Sequence, residues 1–393
     1  MTKIMAREPR CRARRQAKIA AMKTFRCTCG NTLYFENSEC LRCGAKVGWC
    51  PGCESVATLL PDEDDGFRCA NSHCGTALRL CHNYAVEAVC NRCVPQPAEA
   101  GALCDCCSYN DTIPDLSVPG NRAKWARLEA AKRRLIYALD LLGLPRHAAT
   151  ADAPAEEAAA RDAHGPPLAF DFKADVIPSN EFWRAMGEGE RVYTGHANGK
   201  ITINIREADP VEREALRVDL GEAHRTLVGH FRHEIGHYYW ELLVRGCREA
   251  ECVAVFGDHN NPSYADALER HYQQGAPANW AENYVSAYAT MHPWEDFAET
   301  FATWLDLTGV LDTAHHIGFA GVPDVREADT DTLVAAYRRI GIAMNEMNRT
   351  MGLLDFLPEI FVPPVVDKLR FVHQLLREAA ANVAPPPPAG PRA

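Results

Sequence analysis

EAHRTLVGHFRHEIGHYYWELL occupies residues 222–243. Its apolar side chains recur at helical spacing, so the stretch predicts one helix, and within it stand His233, Glu234, Ile235, Gly236 and His237. Residues four apart share a helix face. The two imidazoles can therefore approach one zinc ion while Glu234 projects beside an open coordination position. By average residue usage this H-E-x-x-H pattern arises by chance in on the order of one chain in a hundred of this length, so it needs a third ligand to carry weight.

That ligand is sought on a second helix within a hundred or so residues downstream, and YVSAYATMHPWEDFAE, residues 284–299, supplies a candidate. Pro293 suits a first helical turn, which places Glu295 and Glu299 one above the other. Glu295 is the expected third metal ligand. Glu299 is expected to accept a hydrogen bond from a zinc-bound imidazole, fixing its tautomer. Acidic pairs at this spacing are commonly a solvated face, but Phe297, Ala298, Phe301, Ala302 and Trp304 leave little polar surface there. Of the histidines nearby, His230 could approach the site but reads more readily as a packed or surface residue, and His292 could bind substrate or cap a turn.

Working outward, the composition is that of a soluble globular chain long enough for two or three domains: 393 residues, 47% apolar and 24% charged. No run reaches the roughly eighteen uninterrupted apolar residues of a membrane span. The first twenty-six residues are basic but lack the apolar core of a secretion signal, which leads to a cytoplasmic expectation. A net charge of −10 argues against a nucleic-acid-binding surface.

Of seventeen cysteines, fifteen precede residue 108, many in closely spaced pairs, and this is zinc spacing rather than a disulfide framework. Cys27, Cys29, Cys40 and Cys43 form a first expected tetrahedral site. Cys50, Cys53, Cys69, Cys74, Cys81, Cys90, Cys93, Cys104 and Cys107 supply ligands for two more, with Cys106 and others left over. Spacing leaves the pairing open. One solution unites Cys69, Cys81, Cys104 and Cys107 and leaves Cys50, Cys53, Cys90 and Cys93; another joins Cys50 and Cys53 to Cys69 and Cys74. His82 is a possible substitute ligand. Few apolar runs interrupt the cysteines, so metal must hold this region together.

These features divide the chain into a basic N-terminal extension over 1–21, with Met22 an alternative start, and a multi-zinc ribbon region over 22–118. A connecting amphipathic helix over 119–145 and an Ala/Pro-rich linker over 146–167 follow. A zincin-like domain over 168–380 opens with strands at 168–173, 191–194 and 201–205, and a Pro-rich disordered tail covers 381–393. The fold class expected is α+β, a zinc-ribbon region plus a mostly helical domain with a small sheet. The strand over 201–205 is a candidate edge for an extended peptide.

With these residues in view, the chain resembles the bacterial zinc-binding metallopeptidases that carry an N-terminal zinc ribbon. Its second half is similar to gluzincins, of which anthrax lethal factor shows the same active-site pattern. The matching pieces are residues 22–29, 125–144, 229–240 and 286–299, and the likeness covers nearly all of 22–360. The resemblance implies that Tyr288, seven residues before Glu295, stabilises an oxyanion. It also implies zinc-dependent hydrolysis of peptide bonds, with Glu234 as general base to a zinc-activated water. The expected cofactors are one catalytic and two or three structural zinc ions, and the expected partners are a peptide or protein substrate and a protein docking at the ribbon. Two other readings stay open: a zinc-ribbon adaptor on a non-catalytic zincin scaffold, and a zinc amidase acting on a nonpeptide amide.

Overall fold

The computed structural model describes residues 24–63, 66–146, 166–175, 192, 194–213, 226–355, 357, 358 and 360–382. The expected N-terminal extension, most of the linker and most of the Pro-rich tail lie outside the described residues, as do residues 191 and 193 of the strand expected at 191–194; Val192 and Thr194 precede a strand that begins at Gly195. The fold is mixed α+β, a cysteine-rich region of short strands followed by a mostly helical domain.

Short strands β1 (Phe25–Arg26) and β2 (Thr32–Leu33) pair antiparallel. A five-stranded antiparallel sheet then follows chain order: β3 (Val47–Cys50), β4 (Ser55–Pro61), β5 (Phe67–Cys69), β6 (Ala77–Leu80) and β7 (Cys93–Pro95). The cysteines sit in the turns and at the ends of these strands. Helix α1 (His82–Ala85) leaves β6 with Cys81 at its N-cap.

Helix α2 (Asn121–Leu141) is the connecting helix, and it packs against both halves of the molecule. On one side Tyr137 meets Phe35 and Trp49 of the ribbon region edge-on, with ring centroids 5.5 and 6.1 Å apart. On the other, its hydroxyl donates to Asp312 Oδ2 at 3.2 Å.

The second sheet has the order β10 (Gly195–Ala197), β11 (Lys200–Asn204), β9 (Ala169–Lys173), β8 (Asn110–Thr112). Asn198 and Gly199, both with positive φ, make the β10–β11 turn. Strand β11 runs parallel to β9 on one side and antiparallel to β10 on the other, so both its edges are covered. The edge expected of residues 201–205 therefore belongs to β10. Strand β8 comes from before α2, so the sheet of the helical domain takes an edge strand from the end of the ribbon region.

Helix α3 (Leu227–Leu243) holds the H-E-x-x-H residues, and its N-cap Thr226 accepts from the Gly229 amide. After α4 (Glu249–Phe256) and α5 (Tyr264–Gln274) the chain reaches α6 (Pro293–His316), which packs against α3. Helices α7 (Thr330–Thr350) and α8 (Pro363–Asn382) complete the layer behind α6. No helix among the described residues is long and apolar enough to cross a membrane.

Residues 284–292 do not extend α6 toward its N-terminus. His292 is extended at φ −157° and ψ 149°, and only a short 3-10 turn, Tyr288–Thr290, precedes it. The cause is local, because proline disfavours the helical region in the residue before it and lacks the amide that would continue the ladder. His292 becomes the N-cap, its Nδ1 accepting from the Trp294 amide at 3.1 Å.

Candidate metal centres and active site

Closest approach of α3 and α6 occurs at Gly236. A Cβ there would stand 2.9 Å from Ala298 Cα and 3.1 Å from its carbonyl oxygen. Only glycine lets the backbones meet so closely, and the contact sits between the two histidines of α3 and one turn from Glu295 on α6. The result is a compact triad. His233 Nε2 and His237 Nε2 lie 3.1 Å apart, and Glu295 Oε2 lies 3.0 Å from the first and 3.4 Å from the second.

Four ligands arranged tetrahedrally about zinc at about 2.05 Å are about 3.3 Å from one another, so these spacings suit a shared ion. Glu295 is 2% exposed, and its Oε2 has no hydrogen-bond partner among the described residues, an orphaned acceptor that a cation would satisfy. Burial alone would raise the Glu295 carboxyl, but His237 and His233 beside it hold it well below the usual carboxylate range.

Around the triad stands a second set of side chains. Glu299 Oε1 pairs with His233 Nδ1 at 2.6 Å while Ser286 Oγ donates to Glu299 Oε2 at 2.7 Å. Tyr264 on α5 donates its hydroxyl to Glu295 Oε1 at 2.9 Å. Tyr288 stands beside it, its ring 6.0 Å from that of His233, and burial together with Glu295 and Tyr264 pushes its phenol above the ordinary range. Trp294 covers His237 with ring centroids 4.0 Å apart. From behind, Lys368 of α8 pairs with Asp296 Oδ2 at 2.6 Å and donates to the Asn283 carbonyl at 2.7 Å, tying the segment that carries Ser286 and Tyr288 to α6.

Glu234 is buried beside the triad. His230 Nε2 lies 3.5 Å from its Oε1, whereas its Oε2 has no hydrogen-bond partner among the described residues. Burial would raise this carboxyl, but His230 and then His233 keep it below its ordinary value.

In the N-terminal region the thiols gather into three quartets: Cys27, Cys29, Cys40 and Cys43; Cys50, Cys53, Cys69 and Cys74; Cys81, Cys90, Cys104 and Cys107. Closest sulfur pairs are 3.6 Å (Cys27 to Cys43), 3.6 Å (Cys50 to Cys74) and 3.8 Å (Cys90 to Cys104). Four thiolates at about 2.3 Å from one zinc stand about 3.8 Å apart, so each quartet has the size of a zinc site.

The arrangement uniting Cys69, Cys81, Cys104 and Cys107 is thereby corrected, since Cys69 closes with Cys50, Cys53 and Cys74. Cys93 joins none of the groups among the described residues. It is committed to β7 opposite Leu80, and its sulfur faces Gly48, where a Cβ would come within 3.1 Å of it. Cys106 and His82 likewise stand outside the quartets.

Residues 121–375 match the family described as "Putative zinc-binding metallo-peptidase". The chain belongs to this family. Residues 24–118 match a zinc-ribbon domain, in agreement with the thiol quartets. Uncharacterized proteins of Mycobacterium tuberculosis and Mycobacterium bovis are each 36% identical over 373 residues, covering 93% of this chain and 98% of theirs. No solved structure matches the chain. The family match begins at α2, so the connecting helix belongs with the metallopeptidase half in sequence as it does in packing.

Reading by motif missed several residues of the site. His230 was within reach, because it stands one helical turn before Glu234. Tyr264 and Glu207 gave no such signal: they come from elements whose position beside α3 and α6 is set only by the fold.

Proposed function

We propose that the protein is a zinc-dependent peptidase whose centre is held by His233, His237 and Glu295, with Glu234 as general base. The observation that carries this reading is the pairing of a three-ligand set with a buried carboxylate oxygen, Glu234 Oε2, left without a partner beside it. A site of purely structural zinc closes with four ligands and needs no base, which argues against the non-catalytic scaffold.

Zinc bound there supplies Lewis acidity, lowering the pKa of water to about 7 and polarising the scissile carbonyl. Glu234 Oε2 takes a proton from the attacking water as a carboxylate and, as the carboxylic acid so formed, returns it to the departing amine. Tyr288 donates its hydroxyl proton as a hydrogen bond to the charge developing on the carbonyl oxygen, and burial keeps that phenol protonated. Glu299 and Ser286 hold the His233 ring so that Nε2 faces the ion. Trp294 walls the His237 side against water.

The three thiolate quartets are proposed as structural zinc sites, giving four ions per chain. The substrate class is a peptide or protein. An amide that is not a peptide would use the same chemistry, and cleavage profiling separates the two.

Mass-spectrometric profiling of the zinc-loaded protein on a diverse peptide library, beside Glu234→Gln, tests the reading. Wild type is expected to cleave and the variant to lose about a thousandfold in turnover with its zinc retained, as removal of a general base does. Undiminished cleavage by the variant would sink the mechanism, and no cleavage of any peptide by wild type would sink the peptidase.

A further inference from the structure

One turn before Glu234, helix α3 carries an imidazole that the triad does not use. His230 Nδ1 is hydrogen-bonded to Glu207 Oε2, and its Nε2 faces Glu234 Oε1 at 3.5 Å. Glu207 lies on the 3-10 turn Ile205–Ala208 that follows β11, and it is buried.

That carboxylate is held firmly. Its other oxygen accepts from the Thr194 hydroxyl, and its backbone carbonyl accepts from the Arg213 guanidinium at 2.8 Å. Thr194 is fixed in turn, its Oγ1 accepting from the Asn204 amide at 3.0 Å. A line of polar contacts therefore runs from the sheet through Glu207 and His230 to the base. Because a carboxylate only accepts, each ring nitrogen that faces one must carry a proton: Nδ1 donates to Glu207 and Nε2 points its N–H at Glu234 Oε1, an imidazolium between two carboxylates.

Glu234 itself is divided. Oε1 is engaged by His230, and Oε2 is buried with no hydrogen-bond partner among the described residues. A carboxylate free to rotate would present either oxygen; one held on a single side presents the other.

We propose that Glu207 and His230 are a positioning dyad that restrains Glu234 through Oε1 and keeps Oε2 turned toward the reacting water. The inference rests on Glu234 being the general base. An ordinary buried ion pair would stabilise the helix N-terminus to the same extent whatever stood at position 234, and this difference makes the two separable.

The test uses acetohydroxamate, a zinc chelator whose hydroxyl proton passes to a neighbouring carboxylate, with the zinc-loaded full chain and calorimetry. His230→Ala is expected to weaken binding about tenfold at unchanged zinc content, the lower end of what an orienting partner contributes. His230→Gln, whose amide still donates, should recover part of the loss. In a Glu234→Gln background His230→Ala should have no further effect, as a double-mutant cycle requires of residues acting through one another.

Full affinity in His230→Ala, an equal loss in the Glu234→Gln background, or loss of zinc would each overturn the dyad. On any peptide the wild type cleaves, the same variant should lower kcat and leave KM unchanged. A closed cycle with acetohydroxamate together with no peptide cleavage would reject the peptidase and leave the dyad standing, whereas no acetohydroxamate binding by wild type counts against both.

Discussion

The thiolate quartets and the His233, His237 and Glu295 triad are both of a size for zinc, yet they are built differently. Each quartet takes all its ligands from turns and strand ends close in sequence, as with Cys50 and Cys53 flanking one turn and Cys69 and Cys74 another. The triad takes its ligands from two long helices 58 or more positions apart, and the helices meet through apolar packing in which Tyr239 stacks on Phe301 with ring centroids 5.2 Å apart. Metal organises the first kind of site. In the second, helix packing brings the three ligand residues together and buries Glu234 beside them.

The quartets also differ among themselves. The first lies beside β1 and β2 and includes the exposed Cys43. The third is joined to the helical domain: Cys107 Sγ lies 4.0 Å from Glu129 Oε2, and Glu129 Oε1 accepts from Asn110 of β8 at 2.7 Å and from Lys132 at 3.0 Å. Lys132, fully buried, places its ammonium over the rings of Phe170 and Phe172, and both rings meet Phe231 of α3. The third quartet is thus a buttress of the sheet of the helical domain.

The largest effect should come from breaking that buttress. Cys104→Ser is expected to abolish the folded state of both halves, since a structural zinc supplies about 10 kcal/mol or more. Cys43→Ser should release one zinc and leave the helical domain folded. Metal content and thermal unfolding of the two variants check the contrast, and equal damage from both would remove the distinction between the quartets.

Gly236→Ala tests whether close helix approach builds the triad. A methyl group 2.9 Å from Ala298 Cα must part α3 from α6, at a cost of about 3 kcal/mol by the upper range for overpacking, with zinc lost from the triad and kept in the quartets. Unfolding by denaturant with zinc analysis reads both. Unchanged stability and zinc would show that the helices tolerate separation.

The smallest effect belongs to Glu299→Gln. Its amide can no longer take the His233 Nδ1 proton as a carboxylate does, and affinity for the catalytic zinc should fall about tenfold in a chelator competition. The quartets should be untouched. An unchanged affinity would mean that the charge of Glu299 is not needed to orient the ring.

What the chain states locally was legible: the helix carrying His233, Glu234 and His237, the turn residues at Asn198 and Gly199, and the helix-starting role of Pro293. The i, i+4 relation between Glu295 and Glu299 was legible too, because a helix fixes which residues share a face. The restriction Pro293 places on His292 is the reason that the helix starts at Pro293 and leaves residues 284–292 outside it. Cys93, expected among the ligands, stands outside the quartets among the described residues: it pairs with Leu80 in β7 and its sulfur faces Gly48.

Local sequence thus determined the identity of the metal-binding residue types, the elements that carry them, and the α+β character of the chain. Tertiary structure alone decided which thiols close together, that β8 completes the sheet beyond α2, and that Glu207 reaches His230 across 23 positions. The physical reason is the same in each case. Spacing along a helix or turn is set by backbone geometry within a few residues, whereas contacts between distant segments follow from how apolar faces pack, and that packing is not written at any one place in the sequence.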